Sequence, residues 1–153
     1  MAGKSSMTKP TFVVDASTCL KWIFEDEIYS KQALGPQKDY LSGKIGLIAP
    51  DLWSYEITNG TKSSIIRNRL DPKHGLELLN LLIKSKPEIV PCDDLLPEIF
   101  ENAVKFQISA YDSAYITLSR VLNFPLITSD KKLVLRISQA PRPILLENYR
   151  SPL

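Results

Sequence analysis

Residues 109–133 read S-A-Y-D-S-A-Y-I-T-L-S-R-V-L-N-F-P-L-I-T-S-D-K-K-L, and the fold class follows from how this stretch divides. Tyr111, Ala114, Leu118, Val121 and Leu122 recur at three- and four-residue spacing, which predicts an amphipathic helix with these side chains on its apolar face. Asp112 falls at the start of that helix, beside the face rather than on it. Asn123 marks a short turn. The following run, Phe124 to Ile127, is too short for a helix and meets its charge only afterwards, at Asp130, as a buried parallel strand does. In open parallel α/β sheets ligands lie outside the carboxyl ends of the strands, so Asp130 is placed for chemistry.

The rest of the chain repeats this pattern. Thr11–Val14 is a β-branched and aromatic run that ends in Asp15. A helix is predicted over 16–24, with Ser17 near its start and Leu20, Ile23 and Phe24 on one side. Glu25, Asp26 and Glu27 separate it from a second helix carrying Tyr29, Ala33 and Tyr40, which the Gly35-Pro36 pair breaks or kinks. Gly46–Ala49 is a short strand closed by Pro50, and a long helix over 51–69 follows with Glu56 in its first two turns. Asp71-Pro72 reads as a cap followed by proline at the first helical position, opening a helix striped by Leu76, Leu79, Leu82 and Ile83. Ile89-Val90 is a further strand and 94–106 a helix with Leu95, Ile99, Ala103 and Phe106 in step. A last helical turn is expected over 133–137 and an edge strand over 144–146. Strands alternating with helices predict a parallel sheet of four to five strands with helical crossovers, in one domain over 11–148 between tails at 1–10 and 149–153.

Composition narrows the chemistry. With 153 residues, of which 44% are hydrophobic, the chain can bury a real core. No apolar run approaches the roughly 18 residues that span a bilayer, and the polar start of the chain lacks the apolar segment of a secretory signal. A cytoplasmic protein without a membrane partner is expected, and Met7 is a possible alternative start. Two cysteines, Cys19 and Cys92, are too few for a disulfide framework and read as structural. The one histidine, His74, sits at a helix start as a surface residue, which removes most zinc and Ser-His-Asp arrangements. The net charge of +2 neither requires nor excludes a nucleic-acid partner.

Four acidic residues stand beside apolar segments or at strand ends: Asp15, Glu56, Asp112 and Asp130. If the first strand neighbours the one at Leu126, Asp15 and Asp130 come within about a strand spacing of 5 Å. Unpaired carboxylates at that distance raise one another's pKa, whereas a hard divalent cation would hold them ionised together. Mg²⁺ or Mn²⁺ would then activate a water against a phosphodiester without histidine or cysteine. Each residue also has a plainer reading. Ser109-x-x-Asp112 matches a capping box, Asp15 and Asp130 suit helix N-termini, and Glu56 taken alone is a solvated helical glutamate.

Taken in order, V-V-D-A-S at 13–17, L-W-S-Y-E-I-T-N at 52–59, Y-D-S-A-Y at 111–115 and L-I-T-S-D-K-K-L at 126–133 resemble the PIN domain, and within it the small VapC-like toxins of prokaryotic toxin–antitoxin pairs. The resemblance spans Thr11 to Leu146. It implies a three-layer α/β/α sandwich around a parallel sheet, and cleavage of single-stranded RNA with Mg²⁺ or Mn²⁺. By the motif match, Asp15, Glu56, Asp112 and Asp130 take the catalytic roles, with Asp15, Asp112 and Asp130 as metal ligands. Ser17, Asn59 and Thr128 match the supporting polar positions. Ser113 departs from the pattern, standing where alanine is commoner. The resemblance further implies a homodimer and a cognate antitoxin whose segment blocks the active groove.

For an RNA substrate the chain offers Lys62, Arg67 and Arg69 on the helix of Glu56, Lys131 and Lys132 after Asp130, and the dispersed Lys21, Arg136 and Arg142. Such residues hold phosphates, although on helix faces they equally serve solubility. Trp22 or Trp53 would stack on an unpaired base, unless they belong to the core. Ile65 and Ile66 are candidates for an apolar strip under a partner helix. Two other functions fit in part: a PIN-fold module that binds protein or RNA without catalysis, and a receiver-like phospho-acceptor domain, in which Glu56 and Asp112 would have no role.

Overall fold

The computed structural model describes residues 8–24, 30–68 and 70–152. Met7, the Glu25–Glu27 break, Tyr29 and Arg69 lie outside the described residues. β1 (Thr11–Val14) is the central strand, and α1 (Ala16–Leu20) begins one residue after it. Helix α1 stops short of the expected Phe24, because turn-type bonds replace helical ones from Lys21 onward. α2 (Ser30–Leu41) runs through Gly35-Pro36 unbroken. Pro36 is buried there and Gly35 lies against the ring of Tyr149, so tertiary packing offsets the hydrogen bond that proline cannot donate.

β2 (Gly46–Pro50) includes its proline, and α3 (Leu52–Asn68) follows. α4 (Pro72–Lys84) starts as read from the sequence: the Asp71 carboxylate accepts from the Lys73 N–H, with proline in the first turn. Of its expected stripe, Leu82 is buried and Leu79 half-buried, whereas Leu76 and Ile83 face solvent. β3 (Glu88–Val90), α5 (Leu96–Phe106), α6 (Ala110–Leu122), β4 (Leu126–Thr128), α7 (Lys131–Arg136) and β5 (Ile144–Leu145) complete the order. Helices α5 and α6 end on left-handed residues, Gln107 and Asn123.

All strand pairs are parallel and the sheet order is β3-β2-β1-β4-β5, so the five strands form the middle of an α/β/α sandwich. The order reverses at β1, where chain connections diverge to either side and leave a crevice at the carboxyl ends of β1 and β4. Val13, Val14, Leu47, Leu126 and Ile127 are fully or almost fully buried in this layer.

Helix α6 differs most from its sequence reading. Tyr111 is 67% exposed and Val121 and Leu122 also reach solvent, while every residue from Ser113 to Leu118 is buried. The cause is that α6 packs against β1, β2, β4 and α5 together, so its flanks are covered as well as its apolar face. Small polar residues fill the α5 side with their hydrogen bonds made. Ser113 Oγ donates to the Ile99 carbonyl at 2.6 Å, and Asn102 donates to Thr117 Oγ1 at 2.9 Å. At the other end of the chain, Tyr149 packs edge-on against Phe12 and donates to Asp39 Oδ2 at 2.6 Å. The Asp39 carboxyl is opposed by burial, yet bonds from Tyr149 and Ser151 and the charges of Lys44 and Lys38 hold it below its ordinary pKa.

Among the described residues, no helix is long and apolar enough to cross a membrane.

Candidate active site

The crevice is built outward from β1. Register pairs Val13 with Leu126 and Val14 with Ile127, so the residue opposite Asp15 is Thr128, and Asp130 lies two residues further on. Thr128 Oγ1, fully buried, donates to Asp15 Oδ2 at 2.5 Å and accepts from the Asp130 N–H at 3.1 Å. One hydroxyl therefore joins two strand-end aspartates.

Asp15 is 9% exposed and its other oxygen is also used: Oδ1 accepts from the Thr18 N–H at 2.9 Å and from Ser17 Oγ at 3.1 Å. The capping reading of Asp15 thus holds, and it leaves Oδ2 turned toward Thr128. Asp130 likewise caps α7 through the Leu133 N–H at 3.1 Å, with its side chain open to solvent. Ser109 Oγ accepts from the Asp112 N–H at 3.0 Å, the main-chain half of the capping box expected at the head of α6.

Glu56 and Asp112 are half-buried and feel the other carboxylates. Burial raises the Asp112 pKa, the charges of Asp130 and Asp15 raise it further, and a bond with Ser109 opposes them. Burial likewise raises Glu56, a hydrogen bond from Tyr115 opposes the rise, and the charges of Asp15 and Asp112 add to it. Asp112 thus feels the charges of Asp130 and Asp15, and Glu56 those of Asp15 and Asp112, so the four acids, from four different elements, lie within electrostatic reach of one another. Among the described residues, however, no three acidic, histidine or cysteine side chains stand close enough to hold a metal ion as they are placed. The donor set suits a hard cation, being carboxylate oxygens whose mutual repulsion a positive charge would relieve.

Tyr115 had no role in the sequence reading. Its hydroxyl donates to Glu56 Oε1 at 2.7 Å, and its own pKa is driven up by burial and by the Glu56 charge. The available signal was its position one helical turn after Asp112, on the same flank of α6.

The remaining predicted residues spread around the pocket. Asn59 is exposed on α3 one turn beyond Glu56, and Lys62 is exposed on the same helix. Arg67, near the end of α3, donates to Ser64 Oγ at 3.1 Å. Lys131 is exposed and opens α7 directly after Asp130. Base stacking on tryptophan is overturned. Trp53 is 0% exposed, and Trp22 is buried with its indole N–H bonded to the Ala33 carbonyl at 2.9 Å. Ile66 is exposed on α3, whereas Ile65 is half-buried against Gly75.

A groove of about 370 Å³ lies next to the acidic pocket, between α3, α5 and α6, and is lined mainly by apolar groups including Leu52, Tyr55, Leu96 and Tyr111. Its lining contains none of Asp15, Glu56, Asp112 and Asp130. It continues onto a solvent-facing stripe of α5 formed by Leu96, Phe100 and Val104 at four-residue spacing.

No protein-family model matches the sequence. The chain is 29% identical over 121 residues to VapC ribonuclease Mb0985 of Mycobacterium bovis and to ribonuclease VapC9 of Mycobacterium tuberculosis, spanning 79% of this chain and 87% of each relative. Among solved structures, PAE2754 from Pyrobaculum aerophilum superposes with a TM-score of 0.67 at 21% identity, covering 91% of this chain and 92% of the other. VapBC2 from Rickettsia felis, bound to a DNA fragment from their promoter, superposes with a TM-score of 0.60 at 16% identity, covering 88% of this chain and 96% of the other. The solved structures share the fold of this chain, and the sequence similarity to the VapC ribonucleases extends over most of it.

Proposed function

We propose that the chain is a metal-dependent endoribonuclease that hydrolyses phosphodiester bonds of single-stranded RNA and acts as the toxin of a toxin–antitoxin pair. The observation that carries this reading is the convergence of Asp15, Glu56, Asp112 and Asp130 on the crevice where β1 and β4 end. The similarity to proteins named VapC ribonuclease supports it. In this reading Asp15, Asp112 and Asp130 hold a Mg²⁺ or Mn²⁺ ion, which when bound supplies an activated water and offsets charge at the phosphorus. Thr128 and Ser17 keep the Asp15 carboxylate oriented. Glu56 contributes a fourth negative group, and Asn59 is a polar contact at the rim. Lys62, Arg67 and Lys131 hold the RNA backbone by charge.

The partners follow from the same reading. A second copy of the chain covers the exposed stripe at Leu96, Phe100 and Val104, since an apolar strip of this kind marks an interface. An antitoxin segment lies over the helices beside the crevice, near the exposed Ile66, and blocks entry of RNA in the cytoplasm. The product of an adjacent gene, co-expressed with this chain, is expected to co-purify with it and suppress cleavage; unabated cleavage in the co-purified pair would refute that assignment.

One observation favours a second reading, a PIN-fold binding module without catalysis: the acidic side chains do not stand as a ready three-ligand group among the described residues. Calorimetry with Mn²⁺ separates the two. The nuclease reading expects binding that Asp15→Asn abolishes, and loss of RNA cleavage by roughly 100-fold or more in the same variant with folding intact. Full cleavage by Asp15→Asn, or cleavage indifferent to EDTA, would defeat the nuclease reading.

A further inference from the structure

The hydrogen bond between Tyr115 and Glu56 joins α6 to α3 across 59 positions of sequence. Tyr115 is 3% exposed, so its ring is packed and its hydroxyl has one direction to point. Glu56 has more freedom. It is half-buried on a helix whose neighbouring positions, Tyr55 and Asn59, face solvent, and it is repelled by Asp15 and Asp112. A glutamate with three side-chain torsions in that situation turns toward water unless a donor restrains it. The phenol is that donor, and it is carried by the same helix flank that presents Asp112, so α6 sets the two acids relative to each other.

We propose that Tyr115 is a positioning residue that holds the Glu56 carboxylate inside the acidic pocket, turned toward the ion that Asp15, Asp112 and Asp130 would hold. The proposal rests on the nuclease reading. The competing explanation is that Glu56 merely satisfies a buried phenol, in which case the bond serves folding alone.

Tyr115→Phe removes one oxygen and keeps the ring. Mn²⁺ affinity, measured by calorimetry without RNA, is expected to fall roughly tenfold, because Glu56, an outer charged group beside the ion held by Asp15, Asp112 and Asp130, is then free to turn away. With single-stranded RNA at saturating Mn²⁺, kcat is expected to fall while KM for RNA stays put, because the residue touches no substrate. In a Glu56→Gln background, adding Tyr115→Phe is expected to change Mn²⁺ affinity no further. Tyr115→Leu, which removes the donor and leaves part of the ring's space empty, is expected to behave like Tyr115→Phe in Mn²⁺ affinity even though it lowers thermal stability further. Affinity that follows thermal unfolding across these variants, or a Tyr115→Phe protein with unchanged affinity while Asp15→Asn binds no Mn²⁺, overturns the proposal and leaves the nuclease reading standing. A wild-type chain that binds no Mn²⁺ overturns both.

Discussion

Replacing Asp112 with asparagine is expected to make the metal-free protein more stable while removing its activity. Asp112 is half-buried at the head of α6 and its pKa is raised, first by burial and then by the charges of Asp130 and Asp15. A carboxyl whose pKa is higher in the folded state binds more protons there than in the unfolded chain. Stability therefore falls as pH rises from the ordinary aspartate range through the folded pKa, and the full cost is present at neutral pH. For a half-exposed site, with solvent screening discounted, each like-charge pair costs about 0.5–1 kcal/mol, so two pairs amount to about 1–2 kcal/mol. At about 2–4 °C per kcal/mol for a chain of this size, Asp112→Asn is expected to raise Tm at pH 7 by about 2–8 °C. Asparagine can still pair with Ser109, so the helix start is not the variable. The assay is thermal unfolding in EDTA across pH 7 to about 4, where the gain should shrink as Asp112 becomes protonated in both states. Saturating Mn²⁺, at about 100 times its Kd, should raise the wild-type protein by about 2.7 kcal/mol and the variant by much less. A variant that melts below wild type at pH 7 in EDTA, or a gain that does not change with pH, would refute the account of the pocket as a crowded set of like charges.

Two further outcomes test neighbouring features. Thr128→Val keeps the shape of a fully buried side chain but strips Asp15 of a donor and the Asp130 N–H of its acceptor. A loss of about 2–3 kcal/mol is expected, read as a fall in denaturation midpoint, together with weakened RNA cleavage; a loss below 0.5 kcal/mol would show that the hydroxyl bridge contributes little. Phe100→Glu places a charge in the exposed α5 stripe, where Phe100 is 69% exposed, so it should leave Tm nearly unchanged and convert a dimer into a monomer by light scattering. A wild-type protein that is already monomeric at high micromolar concentration would remove the stripe as a self-association surface.

Much of the architecture could be read locally. Strand and helix periodicities are properties of consecutive residues, so Thr11–Val14, Leu126–Thr128 and the Asp71-Pro72 helix start were legible, and a run of strands alternating with helices implied a parallel sheet. Asp15, Asp112 and Asp130 stood out by their places after strands and at a helix start, whereas Glu56 alone read as a solvated helical glutamate and took its site role from the resemblance to the PIN domain. The limits appeared where a residue's surroundings come from another element. Gly35-Pro36 looked like a break, yet α2 continues because packing at Tyr149 and the core supports it. For Trp22 and Trp53 the sequence left base stacking and a core role both open, and burial of both rings decides for the core.

By itself the amino-acid sequence determined the order of elements, the placement of acids at strand ends and the caps that start α4, α6 and α7, because these depend on bonds and periodicities spanning four residues or fewer. Only the tertiary structure decided that Thr128 stands opposite Asp15, that α6 is covered on its flanks, and that Tyr115 reaches Glu56. Strand register and the packing of one helix over another are set by contacts between distant segments. No short window of sequence contains both partners of such a contact.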